Sequence, residues 1–106
     1  MIVDALNDKK AENVKVLDIS EISYVADAFV IANGNNINQI QTMADSVMEK
    51  LGKNGYPEKG IEGYKSGDWI LIDFNDVIVH IFDKENRSNY DLERLWRDAK
   101  LIECAG

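Results

Sequence analysis

The chain has 106 residues, 45% of them apolar and 29% charged, with 19 acids against 12 bases and a formal net charge of −7. That supports one domain with one real core, and it argues against sequence-independent nucleic-acid binding, which needs clustered Lys and Arg to neutralise phosphates. The lone Cys104 excludes an internal disulfide and a cysteine-based metal centre, and no apolar run is long enough to span a bilayer. An acidic balance of this size serves solubility or a basic protein partner. The N-terminus, MIVDALNDKK, has acids early and no arginine. Neither a signal nor a transit peptide is expected there, and the expected compartment is the cytoplasm.

In chain order, Ile2, Val3, Leu6 and Lys10 fall at helical spacing and predict a short helix over 2–11. Val14 to Ile19 reads as a first strand. Ala28 to Ala32 is an unbroken apolar run, the mark of a central strand buried on both faces. It ends at Asn33-Gly34-Asn35-Asn36, where Gly34 can adopt a positive φ and an Asn can cap the next helix. In that helix Ile37, Ile40, Met43, Ala44, Val47, Met48 and Leu51 repeat at three and four, and Gly52 and Gly55 mark its end. The stretch from Gly52 to Gly67 holds five glycines and the only proline, Pro57. It reads as a loop with a short extended piece at Ile61–Tyr64.

Two β-branched and aromatic runs follow, Trp69–Phe74 and Val77–Phe82, separated by Asn75-Asp76. This is a hairpin signal. A two-residue loop pairs Asp73 with Ile78, Ile72 with Val79, Leu71 with His80, Ile70 with Ile81 and Trp69 with Phe82. Side chains alternate, so Ile70, Ile72, Phe74, Val77, Val79 and Ile81 share one apolar face, which is core. The opposite face carries Trp69, Leu71, Asp73, Ile78, His80 and Phe82. A face of that mixed character is either half covered by the chain's own helix or built to meet a partner. Ser88 is then expected to cap a last helix, with Asp91 at its third position and Leu92, Leu95, Trp96 and Ala99 on its apolar side. The order predicts a single α/β domain over 1–106, a mixed sheet with helices packed on it.

Catalytic candidates are scarce. His80 is the only histidine, which excludes a histidine-based metal cluster, and a histidine packed at the edge of an apolar patch is its more common role. Neither a Walker loop nor G-x-G-x-x-G is present, and no serine lies at a G-x-S-x-G elbow. Gly60-Ile61-Glu62-Gly63 is a G-x-x-G without basic neighbours, which makes it a turn rather than an RNA clamp. Asp73 and Asp76 flank the hairpin tip and could hold a hard cation, but turn chemistry is their ordinary use. No metal, no cofactor and no enzymatic activity are expected. The three arginines say more. Arg87, Arg94 and Arg97 are interleaved with Tyr90, Glu93, Trp96 and Asp98, and Tyr, Trp and Arg are the types enriched in interface hot spots. Glu93–Arg97 and Arg94–Asp98 are also i, i+4 pairs, worth tenths of a kcal/mol on a solvated helix.

These blocks together resemble the ribosomal silencing factor family (RsfS, or Iojap-like proteins). The likeness runs from Lys9-Lys10-Ala11 to Trp96. It is carried by Leu17–Ser20, Ala26–Ala32, Gly34-Asn35 with Gln39, Glu62-Gly63, Trp69–Phe74, Val79–Phe82, Arg87 and Tyr90–Trp96. The last block, Tyr-Asp-Leu-Glu-Arg-Leu-Trp, is highly specific in company with Val-His-Ile-Phe. The resemblance implies a nucleotidyltransferase-like α/β fold without transferase activity. It implies binding to the large ribosomal subunit, at the basic protein numbered fourteen on the inter-subunit face. Such a protein sterically blocks small-subunit joining and damps translation, and a role in late large-subunit assembly is also associated with the family.

On that reading the partner-binding residues are Trp69, Leu71, Asp73, Ile78, His80 and Phe82 of the hairpin, with Glu93 and Trp96 of the last helix. Departures are small: the family often has Tyr at the position of Ala28, Ser at that of Asn36, and Tyr-Gly-Asp where this chain has Phe74-Asn75-Asp76. Active transferases of this fold use a Gly-Ser turn and a D-x-D pair, and here Gly34 precedes Asn35 with no D-x-D anywhere. Two other readings are a residual metal-dependent nucleotidyltransferase using Asp73 and Asp76, and a homodimer built on the hairpin face.

Overall fold

The computed structural model describes residues 2–21, 26–90 and 100–102. Its elements are α1 (Ile2–Asp8), β1 (Glu12–Asp18), β2 (Ala28–Gly34), α2 (Ile37–Lys53), β3 (Gly60–Glu62), β4 (Trp69–Asp73), β5 (Val77–Asp83), α3 (Lys84–Tyr90) and β6 (Lys100–Ile102). The strands form one mixed sheet in the order β3-β4-β5-β2-β1-β6. Only β2 and β5 pair in parallel; every other described neighbour is antiparallel. This is the expected α/β architecture. The β6 strand, paired with β1, was not expected, because three residues carry no readable period.

The hairpin register is the one that alternation predicts, from Asp73 opposite Ile78 to Trp69 opposite Phe82. At its tip Asn75 has φ 78°, and its N–H donates to the Asp73 carboxylate at 2.7 Å. Asn is among the few non-glycine residues that tolerate this conformation. Ile70, Ile72, Val79 and Ile81 are wholly buried, against Ala5 and Leu6 of α1 and Ile40, Met43, Ala44 and Val47 of α2. β2 is buried from Phe29 to Gly34, as its unbroken apolar run requires.

Helix α2 starts at a cap, the Asn36 carboxamide accepting from the Gln39 N–H at 2.8 Å. It runs through Gly52 to Lys53 and closes with Tyr56 N–H to the Leu51 carbonyl at 2.8 Å and Gly55 N–H to the Gly52 carbonyl at 3.2 Å. That pair of bonds, with Gly55 at φ 88°, is a Schellman stop. Gly34 differs from expectation: it is an ordinary strand residue without a positive φ. Glycine allows a close approach there, since a Cβ would lie 3.0 Å from Ile40 and 3.2 Å from the Met43 sulfur and those side chains would have to shift. The last described helix, α3, begins at Lys84 and already includes Ser88. Asp83 caps it, accepting from the Asn86 N–H at 2.7 Å. Asp91, Leu92, Leu95, Trp96 and Ala99 lie outside the described residues.

Where α1 and α2 end, the α2-side face of the sheet is left with a groove of about 410 Å³, lined by Val16, Ala28, Val30, Phe74, Val77 and Tyr56 among others. Ala28 thins its floor. An aromatic side chain at this position would fill the groove with apolar contact on a central strand. The Ala28→Tyr variant is expected to be about 0.5–1 kcal/mol more stable. Urea unfolding measures this, and a midpoint at or below that of the natural chain would contradict it.

Candidate partner-binding site

The second hairpin face is built by the pleat. β4 contributes Trp69, Leu71 and Asp73, and β5 contributes Ile78, His80 and Phe82 directly opposite them. The sheet extends this face inward: Leu17, Ile19, Ala26, Phe29 and Ile31 form a second buried cluster with Ile78 and Phe82, and Trp69 and Leu71 pack at its margin. The result is graded. Ile78, His80 and Phe82 are 7%, 4% and 1% exposed, whereas Trp69, Leu71 and Asp73 are half-buried. Six of the expected site residues therefore share one face, with the β4 row partly exposed and the β5 row buried beside it. Glu93 and Trp96 lie outside the described residues.

The face is stiffened by aromatic contacts. Trp69 stacks on Phe82 with ring centroids 5.0 Å apart and planes 27° apart, and Phe29 meets His80 edge-on at 4.7 Å. Offset stacks and edge-to-face pairs are the favoured geometries of aromatic quadrupoles. The indole Nε1–H of Trp69 donates to His80 Nδ1 at 3.0 Å. His80 must therefore be neutral with its proton on Nε2, since a protonated ring accepts nothing. Burial pushes its pKa down to about 4, in agreement with a neutral ring. Nε2 itself is buried and has no hydrogen-bond partner among the described residues. Hydrogen bonding at His80 is thus committed to holding the Trp69 ring in place. The sequence pairs His80 with Leu71, and the diagonal link to Trp69 follows only from the sheet's geometry.

Asp73 is partly committed to the hairpin turn, through Asn75, while Lys59 Nζ donates to the Asn75 side chain at 2.9 Å. Among the described residues, no group of three or more His, Cys, Asp or Glu side chains could hold a metal ion. No described helix is long and apolar enough to cross a membrane.

A pH dependence follows from His80. Its folded pKa lies below the ordinary 6.5, so between those values the unfolded chain binds a proton that the folded chain refuses. The stability held above pH 6.5 is lost as pH falls toward 4, at up to about 1.4 kcal/mol for each pH unit. The His80→Phe variant is expected to show a shallower decline than the natural chain across this window in denaturant titrations. Parallel declines would contradict the assignment.

The whole chain, residues 1–106, matches the family model described as ribosomal silencing factor during starvation. It is similar to the ribosomal silencing factor RsfS of Halalkalibacterium halodurans, with 42% identity over 106 residues, which is all of this chain and 91% of that protein. Mitochondrial assembly of ribosomal large subunit protein 1 of Mus musculus is 28% identical over 99 residues, 91% of this chain and 43% of that protein. A crystal structure from Chromobacterium violaceum superposes with a TM-score of 0.90 at 34% identity, covering all of this chain and 88% of that one. The chain belongs to the ribosomal silencing factor family.

Proposed function

We propose that the protein binds the large ribosomal subunit through the outer row of the hairpin face and blocks its association with the small subunit. The observation that carries this reading is the Trp69 platform: an indole at the margin of the sheet, stacked on Phe82 and hydrogen-bonded to buried His80. Aromatic side chains held rigid before binding lose little entropy on docking and make effective anchors. Leu71 extends the apolar strip and Asp73 adds an acid at its end. With a net charge of −7, the domain suits the basic large-subunit protein numbered fourteen. Glu93 and Trp96 complete the surface in this reading, the former meeting Lys or Arg on the partner.

The block is steric and needs no chemistry. Subunit interfaces close to atomic contact, so a body measuring 33 × 33 × 26 Å seated on that face holds the subunits apart. The same seat would serve in assembly of the large subunit, the process in the mouse relative's name. Co-sedimentation with isolated subunits tests this. The expected result is binding to the large subunit alone and fewer joined ribosomes as protein is added. Trp69→Ala should weaken binding about tenfold or more, as truncating an aromatic anchor does, and Glu93→Lys should weaken it without unfolding the domain. Absence of binding to either subunit, with a chain that sediments as a dimer, would assign the face to self-association instead.

A further inference from the structure

On the face of the sheet opposite Trp69, the groove beside α1 and α2 has the composition of a small ligand site. Its floor is Ala28, which pairs with Val77 of β5 and shares a face with Val30, two residues along β2. Val30 is 4% exposed within the core, whereas Ala28 and Val77 are only half-buried. Ile2, Val16 and Phe74, which also line the groove, are half-buried too. Apolar surface is therefore left facing water, and an occupant that covers it gains the hydrophobic term. At about 410 Å³ the groove lies near the lower end of the range for small-molecule sites, roughly 300–1,000 Å³. That is room for one ring system with a short chain.

Two lining residues add polar and aromatic chemistry. Asp76 is held against the floor: its carbonyl accepts from the Asp27 and Ala28 N–H groups at 2.7 and 3.2 Å. Its own N–H donates to the Phe74 carbonyl at 3.1 Å. The backbone of Asp76 is thus engaged, while its carboxylate, on an exposed residue, has no hydrogen-bond partner among the described residues. Tyr56 is fixed through its N–H on the Leu51 carbonyl at 2.8 Å, yet the residue stays 60% exposed. A carboxylate attracts a cation by charge, and an aromatic ring attracts it through its quadrupole. Among the described residues that line the groove, Asp76 alone is charged and none is basic, so an anion would meet only repulsion.

We infer that this groove binds a small aromatic amine, its ring over Ala28 and its ammonium at the Asp76 carboxylate. The apolar floor sets the preference for a ring, and the single acid sets the sign of the charge. The site is separate from the Trp69 platform and does not depend on the large-subunit reading.

Tryptamine and indole-3-acetate test it, since both carry an indole ring and they differ in the sign of their charge. Each is titrated into the full chain and followed by backbone amide chemical shifts. Tryptamine is expected to give saturable shifts at Ala28, Val30, Tyr56 and Val77 while Trp69 and His80 stay unmoved. Indole-3-acetate should bind about tenfold more weakly or worse. Asp76→Asn should weaken tryptamine about threefold, as loss of a solvent-exposed ion pair does. Ala28→Tyr places a side chain where the ligand ring would lie and should abolish saturable binding, with its unfolding transition showing that the domain is intact. Equal affinity for the two ligands would overturn the inference, as would saturable shifts centred on Trp69 or none at the groove. An Ala28→Tyr variant that binds tryptamine as tightly as the natural chain would also overturn it.

Discussion

β2 and β5 lie side by side in parallel, from Ala28 opposite Val77 to Gly34 opposite Asp83, and this pairing dictates most of what surrounds it. Parallel neighbours cannot be joined by a tight turn, so the chain between them must cross over. It does so through α2, β3 and β4, and α2 is thereby laid over one face of the sheet. The carbonyl of Asp76 closes the lower end of the pair by accepting from the Asp27 and Ala28 N–H groups, the latter at 3.2 Å. Central parallel strands must be shielded on both faces. One face is met by α1 and α2; on the other, the sheet's own large side chains gather into a second cluster.

The candidate site is a consequence of that second cluster. Toward β2 it is apolar and closed, with Phe29, Ile31 and Phe82 buried. Toward β4 it opens, and the last large group before the margin is Trp69. Its indole has one apolar side to stack and one N–H to satisfy, and His80 meets the second requirement only while neutral. Burial and hydrogen bonding therefore act together: the desolvation that depresses the His80 pKa also keeps it an acceptor. A face assembled this way is stiff before any partner arrives, which suits the proposed role of occupying a surface.

Much of this was legible in the residues because period-2 alternation and the two-residue break at Asn75-Asp76 fix both register and facing. α2 was legible for the same reason at a period of three and four. What escaped were features that depend on distant neighbours. Gly34 looks like a turn glycine, but its lack of a side chain serves contact with Ile40 and Met43. Asp83 looks like the end of a strand, and since no residue separates β5 from α3, its capping role has no signature distinct from that of Ser88. The irregularity of β1 at Asn13 announces itself with no glycine, and the Arg87 guanidinium that donates to the Asn13 carbonyl lies 74 residues away. Alternation also places His80 on the site face without revealing that the partner of its Nδ1 is Trp69.

The central claim is that the β4 margin, and not the helical side of the sheet, meets the large subunit. Site-specific photocrosslinking addresses this directly. A photoreactive residue placed at Leu71, half-buried on the β4 margin, is compared with one at Glu49, exposed on α2. With purified large subunits, the account predicts a crosslink from position 71 to a single basic protein of the inter-subunit face and none from position 49. Crosslinks from position 49 with none from position 71 would contradict it, and would assign binding to the helical face instead.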